Sequence, residues 1–316
     1  MAPLVFVRLS LATKWRRPEA TGLRTLSLSS DGVMVMLWGA TVVGLRRINS
    51  GQLIIGGNRK MKNRKSLGQH WLKDRDILLD ISNFAAADGV DTVVEIGPGL
   101  GTLTSTLFKN FDKVIAIELD NRLAENLPKS FPGKNLVVHN QDILSLDLNT
   151  LDLPKNYVVA GNIPYYITAP IIQKFLHADH PPAKIVLLIQ EEVAERLAAE
   201  AGDYSVLGLS AQIYAKVTLG PVVGREFFTP PPKVDSQVVI LEPLKEPLAS
   251  ESTMALIKLG FIAPRKKLIS NLTVGTHLPK EKLRDIFASQ HLDENLRPAD
   301  LSISDWLMLE KNIHKH

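Results

Sequence analysis

From residue 91 onward the chain alternates short apolar, β-branched runs with amphipathic segments of helical period, and this alternation limits its fold more than any other feature. Strands that alternate with helices build a mainly parallel sheet covered on both faces. Strands are expected at 91–97, 113–119, 135–140, 157–161 and 184–190. Helices are expected to open at Thr102, which caps the first, to run to about Lys129, and to cover 191–201. Segments 217–223 and 237–242 read as a terminal antiparallel pair, which brings the count to about seven strands in an α/β fold.

The first strand ends in Glu95-Ile96-Gly97-Pro98-Gly99-Leu100-Gly101. Glycines placed between a strand and a helix let the backbone come close to a ligand and aim the helix N-terminus at it. The string alone fits dinucleotide enzymes as well as other nucleotide binders. Further signals come from the next strands: Glu118 stands at the end of the second, where a carboxylate can take both ribose hydroxyls. Asp142 closes the third, where a carboxylate can accept from an adenine amino group. Ligands of such sheets sit at the carboxyl ends of the strands. Glu118 suits NAD and S-adenosyl-L-methionine alike. Glu95, Pro98 and the tetrapeptide at the fourth strand favour the methyl donor, and no hydride-transfer constellation accompanies them.

That tetrapeptide is Asn162-Ile163-Pro164-Tyr165. The exocyclic amine of a nucleobase is a weak nucleophile, because its lone pair is spread into the ring and its hydrogens lie in plane. The side-chain oxygen of Asn162 and the main-chain carbonyl of Ile163 or Pro164 can accept those hydrogens and let the nitrogen rehybridise. Pro164 fixes its own φ and biases its neighbour towards an extended form, so the acceptors share a direction. Tyr165 then stacks on the base.

Composition narrows the field. A chain of 316 residues with 45% hydrophobic content can bury a large core and suggests two domains. Without cysteine there are no disulfides, thiolate metal sites or cysteine nucleophiles, and no metal is expected. The net charge of +4 is unevenly placed: residues 1–60 hold nine Lys and Arg against Glu19 and Asp31, leaving 28 basic and 31 acidic residues beyond them. A nucleic-acid partner must therefore be gripped by local patches rather than by a globally basic body. Two patches offer themselves, 59–65 and Arg265-Lys266-Lys267, each either a solvated surface or a phosphate contact.

Residues 1–60 differ from the rest, being rich in Arg, Ser and Gly and poor in acids. Their apolar run 33–45 is too short for a bilayer, which needs ~20 residues. An organellar transit peptide, a membrane-associating segment and an upstream stretch added by a misassigned start all fit, and the last is favoured because Met61 opens the basic stretch leading into the motifs. On each reading the segment is expected to be poorly ordered and outside the catalytic part. Stable membrane association is not expected and the location is read as cytoplasmic, unless the leader addresses an organelle.

Taken together, the residues resemble the 16S ribosomal RNA adenine dimethyltransferases, the kasugamycin-sensitivity methyltransferases of bacteria. The likeness spans about residues 62–304 and rests on R-K-S-L-G-Q-H-W-L (64–72), E-I-G-P-G-L-G (95–101), I-E-L-D (117–120), Q-D-I-L (141–144), G-N-I-P-Y-Y-I (161–167), L-L-I-Q-E-E-V-A-E-R-L (187–197) and F-T-P-P-P-K-V-D-S (228–236). It implies a Rossmann-like methyltransferase domain at 61–244 and a small helical rRNA-contacting domain at 245–316. The cofactor S-adenosyl-L-methionine is implied to meet His70, Leu72, Gly97, Gly99, Glu118, Asp142 and Asn162. The target adenine is implied to lie against Asn162, Pro164 and Tyr165, with Phe228 on its other face. His70 stands where the family often has asparagine and Trp71 where it has phenylalanine. Segment 261–268 departs from the commoner F-x-Q-R-R-K-x-L, which weakens the expected rRNA grip of the small domain.

The implied reaction places two methyl groups on N6 of each of two adjacent adenines near the 3′ end of small-subunit rRNA during ribosome assembly, by direct in-line transfer and as a monomer. Two rivals share the fold: the 23S rRNA resistance methyltransferases, which carry the tetrapeptide, and a mitochondrial transcription or assembly factor. F-T-P-P-P-K-V-D-S speaks for the 16S enzymes, and the intact glycine loop, Glu118 and Asn162 speak against a factor without activity.

Overall fold

The computed structural model describes residues 70–314 and, ahead of them, the backbone of four strands between residues 23 and 55. The chain forms two compact units, Met1–Arg64 and Lys65–His316. In the first unit, the stretch read from sequence as a poorly ordered leader carries β1 (Leu23–Leu28), β2 (Met34–Trp38), β3 (Thr41–Arg47) and β4 (Leu53–Ile55), paired in chain order as an antiparallel sheet. In the register of β2 and β3, Trp38 pairs with Thr41 and Val35 with Gly44. The basic stretch 59–65 and motif residues 64–69 lie outside the described residues.

The second unit opens with β5 (Trp71–Leu72) and α1 (Arg75–Ala85), which Asp74 caps by accepting the N–H groups of Asp76 and Ile77. Its main sheet follows. The parallel strands are β6 (Thr92–Ile96), β7 (Lys113–Ile117), β8 (Asn135–His139), β9 (Val158–Asn162) and β10 (Lys184–Gln190), and β11 (Ala215–Val223) and β13 (Ser236–Pro243) close it antiparallel. Their spatial order is β11-β13-β10-β9-β6-β7-β8, the seven strands and terminal antiparallel pair expected. Between β11 and β13 the two residues of β12 (Phe228–Thr229) leave this sheet and pair with β5.

Side-chain alternation splits each central strand between two cores. Val94 and Ile96 join Ile115, Ile117, Val159 and Leu187 on one face. Val93 joins Val114, Val158 and Val186 on the other, beneath α1 and α2 (Thr102–Leu107). A strand buried on both faces needs an unbroken apolar run, which explains why Thr92–Ile96 is buried along its whole length. One expectation fails here: Thr102 is the first helical residue rather than the cap. The preceding Gly101, at φ +80°, turns the chain into the helix with no side-chain hydrogen bond.

Beyond α2 the chain forms α3 (Asn121–Ser130), α4 (Thr168–Leu176) and α5 (Glu191–Leu197), and four helices follow the sheet: α7 (Glu251–Gly260), α8 (Leu268–Thr276), α9 (Lys280–Ser289) and α10 (Ile303–Ile313). They enclose a third core around the fully buried Trp306, to which an earlier helix, α6 (Val206–Tyr214), contributes Leu209 and Ile213. Ala211 of α6 belongs to the sheet core instead. A seam at residue 244 is thus bridged by a helix shared between both cores. Among the described residues no helix is long and apolar enough to cross a membrane.

The strand order reverses at β6: the chain runs outward through β7 and β8, then returns to lay β9 on the other side of β6. Such a switch opens a crevice beyond the carboxyl ends of the two strands. The glycine loop leaves β6 there and the tetrapeptide leaves β9, so the topology alone sets the two motifs side by side.

Candidate active site

A cleft lies at this switch point, lined on one side by Gly97, Gly99, Glu118 and Asp142 and on the other by His70 and residues 162–166. Gly97 and Gly99 have φ of +65° and +59°, the left-handed region that disfavours a side chain. Gly99 donates its N–H to Glu118 Oε2 at 3.0 Å, while Glu118 Oε1 accepts the N–H of Asp120 at 2.8 Å. Each carboxylate oxygen keeps a lone pair for a further donor such as a ribose hydroxyl. Burial lifts the Glu118 pKa above the usual carboxylate range, against the pull of these backbone donors.

Glu95 sits deeper, 1% exposed. Its Oε2 accepts from Thr104 Oγ1 at 2.6 Å, yet its Oε1 has no partner among the described residues although the residue lines the cleft. Burial above all, with the nearby Glu118 adding repulsion, raises its pKa to about 8. A buried carboxyl oxygen without a partner is costly unless a ligand serves it. Two carboxyl groups at the floor of one cleft suit a ligand that carries hydroxyls and positive charge, which is the donor set an adenosyl sulfonium amino acid presents. The glycine loop beside them leaves room for its backbone to be approached, so these residues fit such a cofactor. Asp142 stands at the mouth, Oδ1 capping Leu144 N–H at 2.9 Å, next to Ile143 and Leu144.

The other half of the cleft is built by long-range hydrogen bonds. Asn162 Nδ2 donates to the main-chain oxygen of His70 at 2.9 Å. A carbonyl only accepts, so the NH2 end of the amide must face it and Oδ1 is the end left for a ligand. The His70 ring is held in turn by Nδ1 at 2.8 Å from the carbonyl of Pro230, which assigns the proton to Nδ1. Tyr165 OH meets Ser236 Oγ at 2.9 Å, and burial raises the pKa of its phenol. The Pro164 carbonyl accepts the N–H of Ile167 at 3.2 Å, so of the two main-chain acceptors foreseen at this turn that of Ile163 is the freer.

Most of the expected site residues therefore meet in one cleft: His70, Leu72, Gly97, Gly99, Glu118, Asp142, Asn162, Pro164 and Tyr165 all line it. Leu72 does so from a nearly buried position, 1% exposed. Phe228 does not. It pairs with Leu72 in the short β12–β5 ladder and is 3% exposed, packed in the core with Leu78 and Val238, so in this structure it offers no face to a base. Sequence reasoning also passed over Ser236 and Pro230 as supports, although both stand in the F-T-P-P-P-K-V-D-S string. Arg265, Lys266 and Lys267 are exposed ahead of α8, with Lys267 Nζ hydrogen-bonded to Asn295 Oδ1 at 2.6 Å.

Known proteins resemble this chain over most of its length. The chain is 37% identical over 268 residues to the ribosomal RNA small subunit methyltransferase A of Alkaliphilus oremlandii, covering 81% of this chain and 93% of the relative. It is 38% identical over 269 residues to the protein of that name from Lactobacillus delbrueckii subsp. bulgaricus, covering 79% and 90%. Among solved structures, a dimethyladenosine transferase from Plasmodium falciparum superposes with a TM-score of 0.67 at 30% identity, covering 78% of this chain and 98% of that one. The 23S rRNA methyltransferase ErmE superposes with a TM-score of 0.63 at 26% identity, covering 77% and 99%. Residues 60–315 match the family model described as ribosomal RNA adenine dimethylase, and the chain belongs to that family.

Proposed function

We propose that the cleft transfers methyl groups from S-adenosyl-L-methionine to N6 of two adjacent adenines near the 3′ end of 16S rRNA in the small ribosomal subunit, during ribosome assembly. The observation that carries this reading is the Asn162 amide, whose nitrogen is committed to His70 and whose oxygen is left at the cleft. When bound, the sulfonium supplies an already electrophilic methyl group. Gly97, Gly99, Glu95, Glu118 and Asp142 are the residues that would hold this cofactor.

The protein's task is then to place an amine in line and make its lone pair available. Asn162 Oδ1 and the Ile163 carbonyl accept the two N6 hydrogens and draw the nitrogen out of conjugation. Tyr165, its ring set by Ser236, stacks on the base and repays part of the few kcal/mol lost in unstacking, least for an adenine already unpaired. The surplus proton leaves the product amine once the methyl has arrived, and no strong base is required. One cleft carries every group used, so the chain is taken to act as a monomer, in the cytoplasm if residues 1–60 are no address.

The test is incubation with small subunits that lack the modification and a labelled methyl donor, followed by nucleoside analysis. The expected product is N6,N6-dimethyladenosine at two neighbouring positions of the small-subunit rRNA. Label taken up by 23S rRNA offered in a parallel incubation, with none in the small subunits, would move the chain to the substrate named for ErmE, and no label in either RNA would refute the reading.

A further inference from the structure

Tyr165 and Tyr166 are consecutive residues of one 3-10 turn, Tyr165–Ile167. Such a turn rotates successive side chains by about 120°. The first ring points inward and is pinned by Ser236. The second also lines the cleft, yet it is 66% exposed, against 39% for Phe227, the other ring among the exposed large apolar side chains of the described residues. A tyrosine ring left in water at the lip of a pocket forfeits apolar burial, and rings of this kind find partners in flat, π-faced ligands. An adenine swung out of its strand leaves just such a partner behind, because the neighbouring nucleotide loses its stacking contact on one face.

We propose that Tyr166 is the platform on which the unpaired nucleotide next to the target adenine stacks. This rests on the reading that the cleft takes an adenine from RNA. Tyr165 then holds the reacting base and Tyr166 its neighbour, one residue apart in the protein as the bases are one nucleotide apart in the strand. Stacking on an aromatic face tolerates any base, but a purine covers more of the ring, so a purine neighbour is preferred. The two adjacent adenines of the proposed substrate meet that preference, each serving in turn as the other's neighbour. Tyr166 is thus a substrate-positioning residue that takes no part in chemistry.

The full-length protein is tested in two ways. Binding of a short single-stranded RNA with 2-aminopurine beside the target adenine is followed by fluorescence, and methyl transfer to unmethylated small subunits is followed at varied subunit concentration. With wild type, binding quenches the 2-aminopurine. Tyr166→Ala is expected to lose that quench and to raise KM for subunits by about tenfold, the scale of one lost base stack, with the larger part of the loss on KM rather than kcat and cofactor affinity unchanged. Tyr166→Phe, which keeps the ring, should behave as wild type. Wild-type quench and KM in Tyr166→Ala would overturn the proposal, as would a Tyr166→Phe variant as impaired as the alanine, since the hydroxyl would then make the contact. Absence of any methyl transfer by wild type would instead strike the proposed function, and this inference with it.

Discussion

In the cofactor half of the cleft, Gly97, Glu118 and Asp142 stand at or just beyond the ends of three adjacent parallel strands, each delivered by the strand that precedes it. In the base half, Asn162 is braced by His70, 92 residues away, and His70 by Pro230, 160 residues away. The first half follows from the order of elements in a parallel sheet, and its conformation is local: glycine backbone and short carboxylate contacts. The second exists only when β5, β9 and the loop before β13 are brought together. The cofactor half should therefore tolerate change in the loop before β13, and the base half should fail whenever one of its distant supports is lost.

The sharpest way to separate the halves is Asn162→Ala. It removes the acceptor offered to N6 and is expected to lower methyl transfer by ~10²-fold or more, the scale for losing a preorganised hydrogen-bond partner, with cofactor affinity within a few-fold by equilibrium binding. Turnover unchanged in that variant would refute the role assigned to the amide.

Glu95 offers a test confined to the cofactor half. Its carboxyl keeps a proton in the folded protein up to about pH 8, whereas in the unfolded chain it ionises near the ordinary value of 4.5. A raised carboxyl pKa favours folding in full below the unfolded value, and that advantage is lost as pH climbs from 4.5 towards 8. Glu95→Gln keeps a neutral group there. It is expected to match wild type at pH 4.5 in urea unfolding and to exceed it by on the order of a few kcal/mol at pH 8. An equal gap at both pH values would contradict the assignment.

Glu118→Gln keeps one acceptor for the backbone N–H groups of Gly99 and Asp120 but removes the charge. Cofactor affinity is expected to fall about tenfold, on the scale of a charge-assisted hydrogen bond, while RNA binding stays as it was. A parallel loss of RNA affinity would show the halves to be coupled. The smallest effect belongs to Tyr165→Phe, which leaves the ring and removes its tie to Ser236. A loss of about 1 kcal/mol in kcat/KM is expected, and no further loss when Ser236→Ala is added, because both changes break the same bond.

The same contrast explains what could be read from the sequence. The seven strands, the glycine loop, Glu118 and Asp142 were legible because β-branched runs and strand-end residues report on their own element. Asn162 and Tyr165 were legible as chemistry only in context: alone, that tetrapeptide is more often a plain turn at a strand end, and it gained its meaning from the glycine loop, Glu118 and Asp142 on the strands before it. Their supports were not: nothing in the spacing of His70, Pro230 and Ser236 says that a carbonyl will hold an imidazole or that a serine will hold a phenol. Phe228 was placed on the base by the resemblance alone, and the pairing of β12 with Leu72 turns its ring into the core instead. Nothing in the pattern of α6 said that its residues would divide between the sheet core and the helical core.

The most direct measurement is a crystal structure of the protein with the demethylated cofactor and an adenine-containing oligonucleotide. The account predicts the adenine N6 within hydrogen-bond distance of Asn162 Oδ1, about 3 Å, with Nδ2 still on the His70 carbonyl. An N6 beyond that reach, or an amide turned so that its nitrogen faces the base, would contradict it.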